Sequence, residues 1–351
     1  MNVRTSIMRD IVLPVITLSV FFLSVSCSKL FGDYEEGRRR DVTFGVSFPV
    51  TRSVAMGHEA GARSLDVLVF RSDGSLDASG RSTGPLDESG NVASVTANVS
   101  SGTDLTWYVV ANAPAGAFNG VSTRTAFESL VADLYEVSDA DGYLPMYRSG
   151  TLLGYGPVSD NVSVALQRHC CKVSLRNVTV SWADAFSMSA EVRIGRIALV
   201  NAVGTRLWSG GADPAPVWYN RMDIDVESGS LAARMTVSNV DQPLSLSEAF
   251  DTETSLYCMP NAVSNNVNSA NAGTWSERST RVAVEIIIGG SSNWYAIDMP
   301  SMLPNVHYIV KNLLVTGPGS AGPDWPVLRE DIVFHLSVEP WLDEQVVPVF
   351  D

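Results

Sequence analysis

Residues able to do covalent chemistry are few and scattered in this chain. Histidines stand at His58, His169, His307 and His335, none at a metal spacing such as H-x-x-x-H or H-E-x-x-H. His169-Cys170-Cys171 is a local His/Cys cluster, but zinc needs a fourth ligand and usually a C-x-x-C spacing. Asp139-Ala140-Asp141-Gly142 begins like a calcium loop and lacks the later ligands and closing Glu, so it reads as a polar turn. No nucleophile elbow, Walker loop or dinucleotide fingerprint is present. Gly289-Gly290 and Gly317-Pro318-Gly319-Ser320 are turn chemistry, since no helix pattern follows either. No catalytic, metal or cofactor site is expected, and the chain is not expected to be an enzyme. Two positions remain for covalent events carried out by other molecules. Cys27 closes the apolar run Ile11–Val25 behind Leu23-Ser24-Val25-Ser26, a pattern resembling a lipobox, whose cysteine is acylated and becomes the new N-terminus. Arg52, in Thr51-Arg52-Ser53, is a basic residue in a polar loop, a soft site for peptide hydrolysis.

The elements around Arg52 give such a cut a consequence. Val42-Thr43-Phe44-Gly45-Val46-Ser47-Phe48-Pro49-Val50 alternates, with Val42, Phe44, Val46 and Phe48 on one face. A polar loop to Gly61 follows, then the apolar run Leu65–Phe70. Residues 42–50 therefore read as a first strand joined to the rest by a cleavable loop. A sheet that loses a strand exposes unpaired N–H and C=O groups and accepts a strand from another molecule. The alternative is an ordinary edge strand that never leaves, with Arg52 a solvated loop residue. Arg63 is a second cut site, set against the second strand. Arg38, Arg39 and Arg40 are read as lying before the first strand.

From residue 42 onward short alternating or apolar runs recur between Gly, Ser, Asn, Asp and Pro clusters. Strands are expected at Val92–Val99, Leu105–Ala111, Val162–Leu166, Lys172–Val180, Ala190–Val200, Ser255–Met259, Arg281–Ile288, Trp294–Ile297, Tyr308–Val315 and Asp331–Val338. In the last, Ile332, Phe334, Leu336 and Val338 share one face and His335 lies on the other. One short helix is expected, capped by Thr125 with Glu128 at N3 and burying Phe127, Leu130, Val131 and Leu134. The fold class is all-β: two tandem β-sandwich domains, transthyretin-like or Greek-key, with that helix in the first.

The chain has 351 residues, 45% of them hydrophobic, with 38 Asp plus Glu against 24 Lys plus Arg. Two domains with sizeable cores fit that length and composition. The acidic balance excludes nucleic acid as a partner, because polyphosphate would be repelled over most of the surface. Residues 1–26 read as a lipoprotein signal peptide, 27–41 as a tether, 42–168 as the first domain, 169–341 as the second and 342–351 as a C-terminal tail. After Cys27 the cysteines are Cys170, Cys171 and Cys258. One bridge to Cys258 or buried free thiols both fit, and the second is preferred.

A series of motifs in fixed order carries a family resemblance. Behind the lipobox and Thr51-Arg52-Ser53 come Leu65–Phe70, Asp73-Gly74, Val109-Val110-Ala111-Asn112-Ala113-Pro114 and Leu144-Pro145-Met146. Val164-Ala165-Leu166-Gln167-Arg168 leads into Cys171-Lys172-Val173, followed by Tyr257-Cys258-Met259-Pro260-Asn261 and Pro304-Asn305-Val306-His307-Tyr308. Gly317–Ser320, Pro323-Asp324 and Val338-Glu339-Pro340-Trp341 complete the order. This resembles the fimbrillin superfamily of Bacteroidales, subunits of the type V pilus. The resemblance implies a two-domain β-sandwich subunit anchored to the outer membrane through Cys27 and later incorporated in an extracellular fimbrium. It further implies an arginine-specific protease that cuts after Arg52, leaving Ser53 as the new N-terminus. The excised piece carries Cys27 and the displaced strand with Val42, Phe44, Val46 and Phe48. The vacated slot is filled by a strand of a neighbouring pilus subunit, usually a C-terminal one. The matching donor segment here is Glu344–Phe350, with Val346, Val347, Val349 and Phe350; it is short, and Pro348 removes one donor. A tip or anchor subunit is an alternative. So is a monomeric outer-membrane lipoprotein that binds a glycan, a protein or another host or bacterial surface ligand, with Trp294 or Trp325 stacking on sugar rings.

Overall fold

The computed structural model describes residues 38–48, 59, 61–84, 91–138, 143–154, 160–181, 191–246, 248–251, 254–265, 267–268, 273–327 and 331–341. The N-terminal half holds β1 (Arg39–Ser47), β2 (Leu65–Arg71), β3 (Leu76–Ser82), β4 (Ser94–Ser100), β5 (Leu105–Ala111), β6 (Val131–Asp133), β7 (Met146–Leu152), β8 (Asn161–Ala165) and β9 (Gln167–Arg168). The C-terminal half holds β10 (Cys171–Val180), β11 (Val192–Val200), β12 (Ala202–Val203), β13 (Thr205–Leu207), β14 (Trp218–Tyr219), β15 (Val237–Pro243), β16 (Ala249–Phe250), β17 (Thr254–Cys258), β18 (Arg281–Ile288), β19 (Ser291–Asp298), β20 (Val306–Val315) and β21 (Ile332–Pro340).

Each half is a pair of sheets closed on an apolar core. In the first, the sheet β4-β1-β8 faces β3-β2-β5-β7-β9. Val42, Phe44, Val67, Val95, Trp107 and Val109 meet between them. In the second, β16-β10-β20-β21, with β17 also on β10, faces β15-β11-β18-β19. Val173, Ile197, Leu256, Val284, Tyr308 and Val310 belong to that core. The alternation that marked these strands has its ordinary cause, one face of each sheet turned to its partner. β2 and β5 are instead buried on both faces. Their outer face is covered by a third cluster containing Tyr108, Phe127, Leu134, Trp208, Tyr257 and Trp341. That cluster joins the halves, as does the short ladder pairing Thr205 with Asp133 and Leu207 with Val131.

Several sequence expectations change. The first strand runs Arg39–Ser47 rather than from Val42 to Val50, so Arg39 and Arg40 lie inside it. β1 is also not an edge strand: it is the middle of three, antiparallel to β4 and parallel to β8. The capping residue is Thr123, not Thr125: Ala126 N donates to Thr123 Oγ1 at the start of α1 (Arg124–Glu128). That helix stops after Glu128 because residues 131–133 are drawn into β6 by β13. Val131 is consequently exposed, and Asp133 caps a separate turn, α2 (Leu134–Val137). With α3 (Leu231–Thr236) there are three short helices among the described residues, not one. In β21, Ile332, Phe334 and Leu336 pack on the core, whereas Val338, near the strand's end, is exposed.

Candidate functional site

β1 is wedged between two strands. Its register with β4 runs from Arg39 opposite Ser100 to Gly45 opposite Ser94. With β8 it runs from Thr43 beside Asn161 to Ser47 beside Ala165. Thr43 N donates to Asp160 O at 2.8 Å, and Val46 N to Ala93 O at 2.9 Å. Val42 and Phe44 are fully buried, and the Phe44 ring lies 5.5 Å from that of Trp107 on β5. Val46 and Phe48 are half-buried against the same core. The outward face is polar. Thr43 Oγ1 and Thr96 Oγ1 are 3.0 Å apart, and Asn98 bridges the strands, accepting from Arg39 Nε at 2.8 Å and donating to Asp41 at 2.7 Å. Asp77 sits near the N-terminal end of β1, with Arg39 at 3.9 Å and Arg71 at 2.8 Å. Burial works against its ionisation, but hydrogen bonds from Ser100 and Arg71 prevail and hold its carboxyl below the usual range.

β1 fills the space between β4 and β8 and seals one side of the N-terminal core. Burying its inward side chains stabilises the fold by roughly 1.5–3 kcal/mol for each one fully buried. Without β1, one edge of β4 and one of β8 would lack their ladder partners, and apolar side chains of the core would face water.

Cys27, Arg52 and Ser53 lie outside the described residues, as do Val346, Val347, Val349 and Phe350. The chain is described again at Glu59, which is fully buried at the junction of the two halves. Lys172 Nζ reaches its two carboxylate oxygens at 2.9 and 3.1 Å. Tyr257 OH donates to the same carboxylate, and Arg168 Nε donates to Glu59 O at 3.0 Å. Trp341 closes the cluster: the Arg168 guanidinium lies 4.3 Å from the centre of its rings, and Arg168 Nη1 donates to Trp341 O at 3.1 Å. Burial lowers the Lys172 pKa, with the Glu59 charge acting in the opposite sense. Burial and then Glu59 raise that of Tyr257. Asn305, at φ 56°, accepts from Trp341 N at 3.0 Å. Arg168, Lys172, Tyr257, Asn305 and Trp341 come from widely separated motifs and meet here. Nothing in the polar loop marked Glu59 as their common partner.

Other sequence candidates are dispersed. Arg63 is exposed, but its backbone N–H donates to Asn112 Oδ1 at 3.0 Å, which ties that part of the loop down. His169 stacks on Tyr147 at 4.4 Å and meets the edge of Trp208. Burial, then Arg206, holds its pKa well below the usual value. Cys170 belongs to the junction cluster and Cys171 to the C-terminal core, so this trio does not converge. Among the described residues no group of His, Cys, Asp and Glu is arranged to hold a metal ion. Trp294 is corrected as a sugar platform: it is 5% exposed and packed beneath the Arg196 guanidinium at 5.0 Å. Trp325 is 44% exposed. A groove of about 310 Å³ lies elsewhere, lined by Pro214, Trp218, Pro260, Met302 and Leu303 among others.

Residues 52–155 match the family model described as major fimbrial subunit protein (FimA). No curated protein matches the chain. Among solved structures, a protein from Bacteroides eggerthii DSM 20697 described as a cell adhesion candidate aligns with a TM-score of 0.60 at 16% identity, over 88% of this chain and 98% of its own. A similarly described protein from Parabacteroides distasonis ATCC 8503 aligns at 0.58 and 16%, over 90% and 99%. A fimbrilin (FimA) from Porphyromonas gingivalis W83 aligns at 0.58 and 16%, over 86% and 97%. At such identities these likenesses establish the fold, and with the family match they bear out the fimbrillin resemblance read from the motifs.

Proposed function

We propose that this chain is a structural subunit of a cell-surface fimbrium, assembled by protease-triggered exchange of β1 for a strand of another subunit. The observation that carries the reading is the place of β1 as a middle strand, seated between β4 and β8 with Val42 and Phe44 fully buried. An edge strand would leave one row of unpaired backbone groups when lost; a middle strand leaves two, facing each other across an apolar floor. Such a slot is costly to leave empty, and a strand from another molecule recovers both ladders and the burial together.

In this reading Cys27 is the lipid anchor that holds the precursor at the outer membrane, and hydrolysis after Arg52 separates that anchor and β1 from Ser53 onward. Residues 42–168 and 169–341 form the two domains, a division supported by the membership of β1–β5 and β7–β9 in one sheet pair and of β10 in the other. The Glu59 cluster supports the next step: the new N-terminus at Ser53 lies six residues before a buried ion pair, so the remaining loop stays attached to the body. The segment Glu344–Phe350 serves as donor strand, starting three residues beyond Trp341, which the same cluster anchors.

The test is N-terminal sequencing of the surface form, combined with electrophoresis without boiling after treating the purified precursor with an arginine-specific protease. Ser53 at the N-terminus and a ladder of oligomers are expected. An uncut surface form with acylated Cys27, and a single band after proteolysis, would overturn the reading.

A further inference from the structure

We infer that Cys171 and Cys258 form an internal disulfide, a cross-strand staple between β10 and β17. The two residues are direct partners in the antiparallel register of those strands. Their sulfurs lie 3.5 Å apart, both fully buried in the C-terminal core. Directly opposed residues in an antiparallel pair have Cα atoms about 4.5–5.5 Å apart, within the range of about 4.4–6.8 Å that a disulfide spans. Closing the remaining gap to a bond of about 2.05 Å asks for side-chain rotation rather than movement of the strands. Cys170 precedes β10 and belongs to the junction cluster, whereas Cys171 and Cys258 both belong to the C-terminal core and face each other in the ladder.

The bond forms by exchange with an oxidised thiol–disulfide reagent, either an oxidoreductase of an oxidising compartment or a small disulfide such as oxidised glutathione. One cysteine loses its proton and attacks the reagent's disulfide, giving a mixed disulfide and releasing one thiolate, which takes up that proton. The second cysteine, likewise deprotonated, attacks the protein sulfur of the mixed disulfide. The reagent's second thiol departs with the second proton. The reagent is reduced by two electrons and the cysteine pair oxidised by two. Burial raises the pKa of Cys171, so the native interior suppresses the thiolate; exchange belongs to the folding chain, before β17 closes on β10. The completed bond joins cysteines 87 positions apart in the sequence. It also fixes the end of β17 next to Tyr257, a hydrogen-bond donor to Glu59.

Oxidation in the cell rests on the surface placement proposed above; the pairing does not. Protein extracted from cells is alkylated under denaturing, non-reducing conditions and mapped by peptide mass spectrometry. A peptide linking Cys171 to Cys258, with Cys170 alkylated, is expected. The full chain, reduced and refolded in a glutathione redox buffer, is expected to give the same link, with a melting temperature about 10 °C above that of the chain refolded in reductant. Alkylated Cys171 and Cys258 after oxidative refolding, or a link that engages Cys170, overturns the pairing. A linked refolded chain beside a reduced cellular one supports the pairing and counts against the surface placement. The Cys171→Ala, Cys258→Ala double variant is expected to melt at the lower temperature under both conditions, and its ladder formation reports on strand exchange independently.

Discussion

Phe44 is the largest fully buried side chain of β1. It is fully buried and faces Trp107, so Phe44→Ala removes an aromatic pair and leaves a cavity. A loss of about 3–5 kcal/mol in the precursor's unfolding free energy is expected, measured by denaturant titration. Glu59 and Lys172 act at the same scale through charge. Glu59→Gln leaves the Lys172 ammonium buried without its counter-ion, a change expected to cost about 3–5 kcal/mol, because the penalty falls on the partner left behind. Two histidines contribute to the acid side of stability. His169 is held well below its usual pKa by burial and then Arg206. His307 is brought down to about 4 by burial and then Lys172, with Arg176 and Lys311 adding to it and Glu339 opposing. Both are neutral in the fold and charge readily when unfolded, so the unfolded chain binds more protons below pH 6.5. Stability from this source is fully present above that pH. It is lost as pH falls, by up to about 1.4 kcal/mol per unit for each ring, and the His307 share is spent near pH 4. Chemical denaturation between pH 7.5 and 4.5 measures the slope, and His307→Gln is expected to flatten it.

Strands were legible in the sequence where one face met a core. The bounds of β5 and β18 coincide with the apolar runs, and the alternation of β1 correctly marked Val42 and Phe44 as inward. Pairing was not legible. Nothing in Asn161–Ala165 says that it lies parallel to β1, because parallel neighbours are chosen by a long connection and not by a turn. The helix was misread for a related reason. Thr125 and Glu128 have the spacing of a capping box, but the strand that claims residues 131–133 lies at 205–207, more than seventy positions away. Local pattern yielded to a tertiary partner. At this scale, Thr123→Ala is expected to cost about 1 kcal/mol in thermal or chemical unfolding, whereas Thr125→Ala, inside the helix where Ala is the better helix former, is expected to be neutral or to stabilise by a few tenths. A synthetic peptide of residues 38–50, added in excess during cleavage by the arginine-specific protease, is expected to occupy the vacated slot and shorten the ladder seen on an unboiled gel.

For the molecule as a whole, two residues far apart in sequence, Glu59 and Trp341, meet at one arginine. Glu59 O accepts from Arg168 Nε, and Trp341 O accepts from Arg168 Nη1. Their motif residues were visible in the sequence as a series; their meeting point was not, since it depends on how the two sheet pairs dock. On the proposed reading, Arg52→Ala in the full precursor is expected to abolish the ladder while leaving the melting temperature within about 2 °C of the parent. A precursor variant that still oligomerises would point to another cleavage position.

β1 runs with one neighbour and against the other. Turning a replacement strand end for end would exchange those relationships and leave their number unchanged: one parallel ladder, one antiparallel. The backbone of the slot is therefore nearly indifferent to the heading of its guest. Which way an incoming chain points falls to its side chains, above all to whether a bulky ring arrives over Trp107. The directionality of a growing fibre would then be written in the guest's sequence and not in the host's hydrogen bonds.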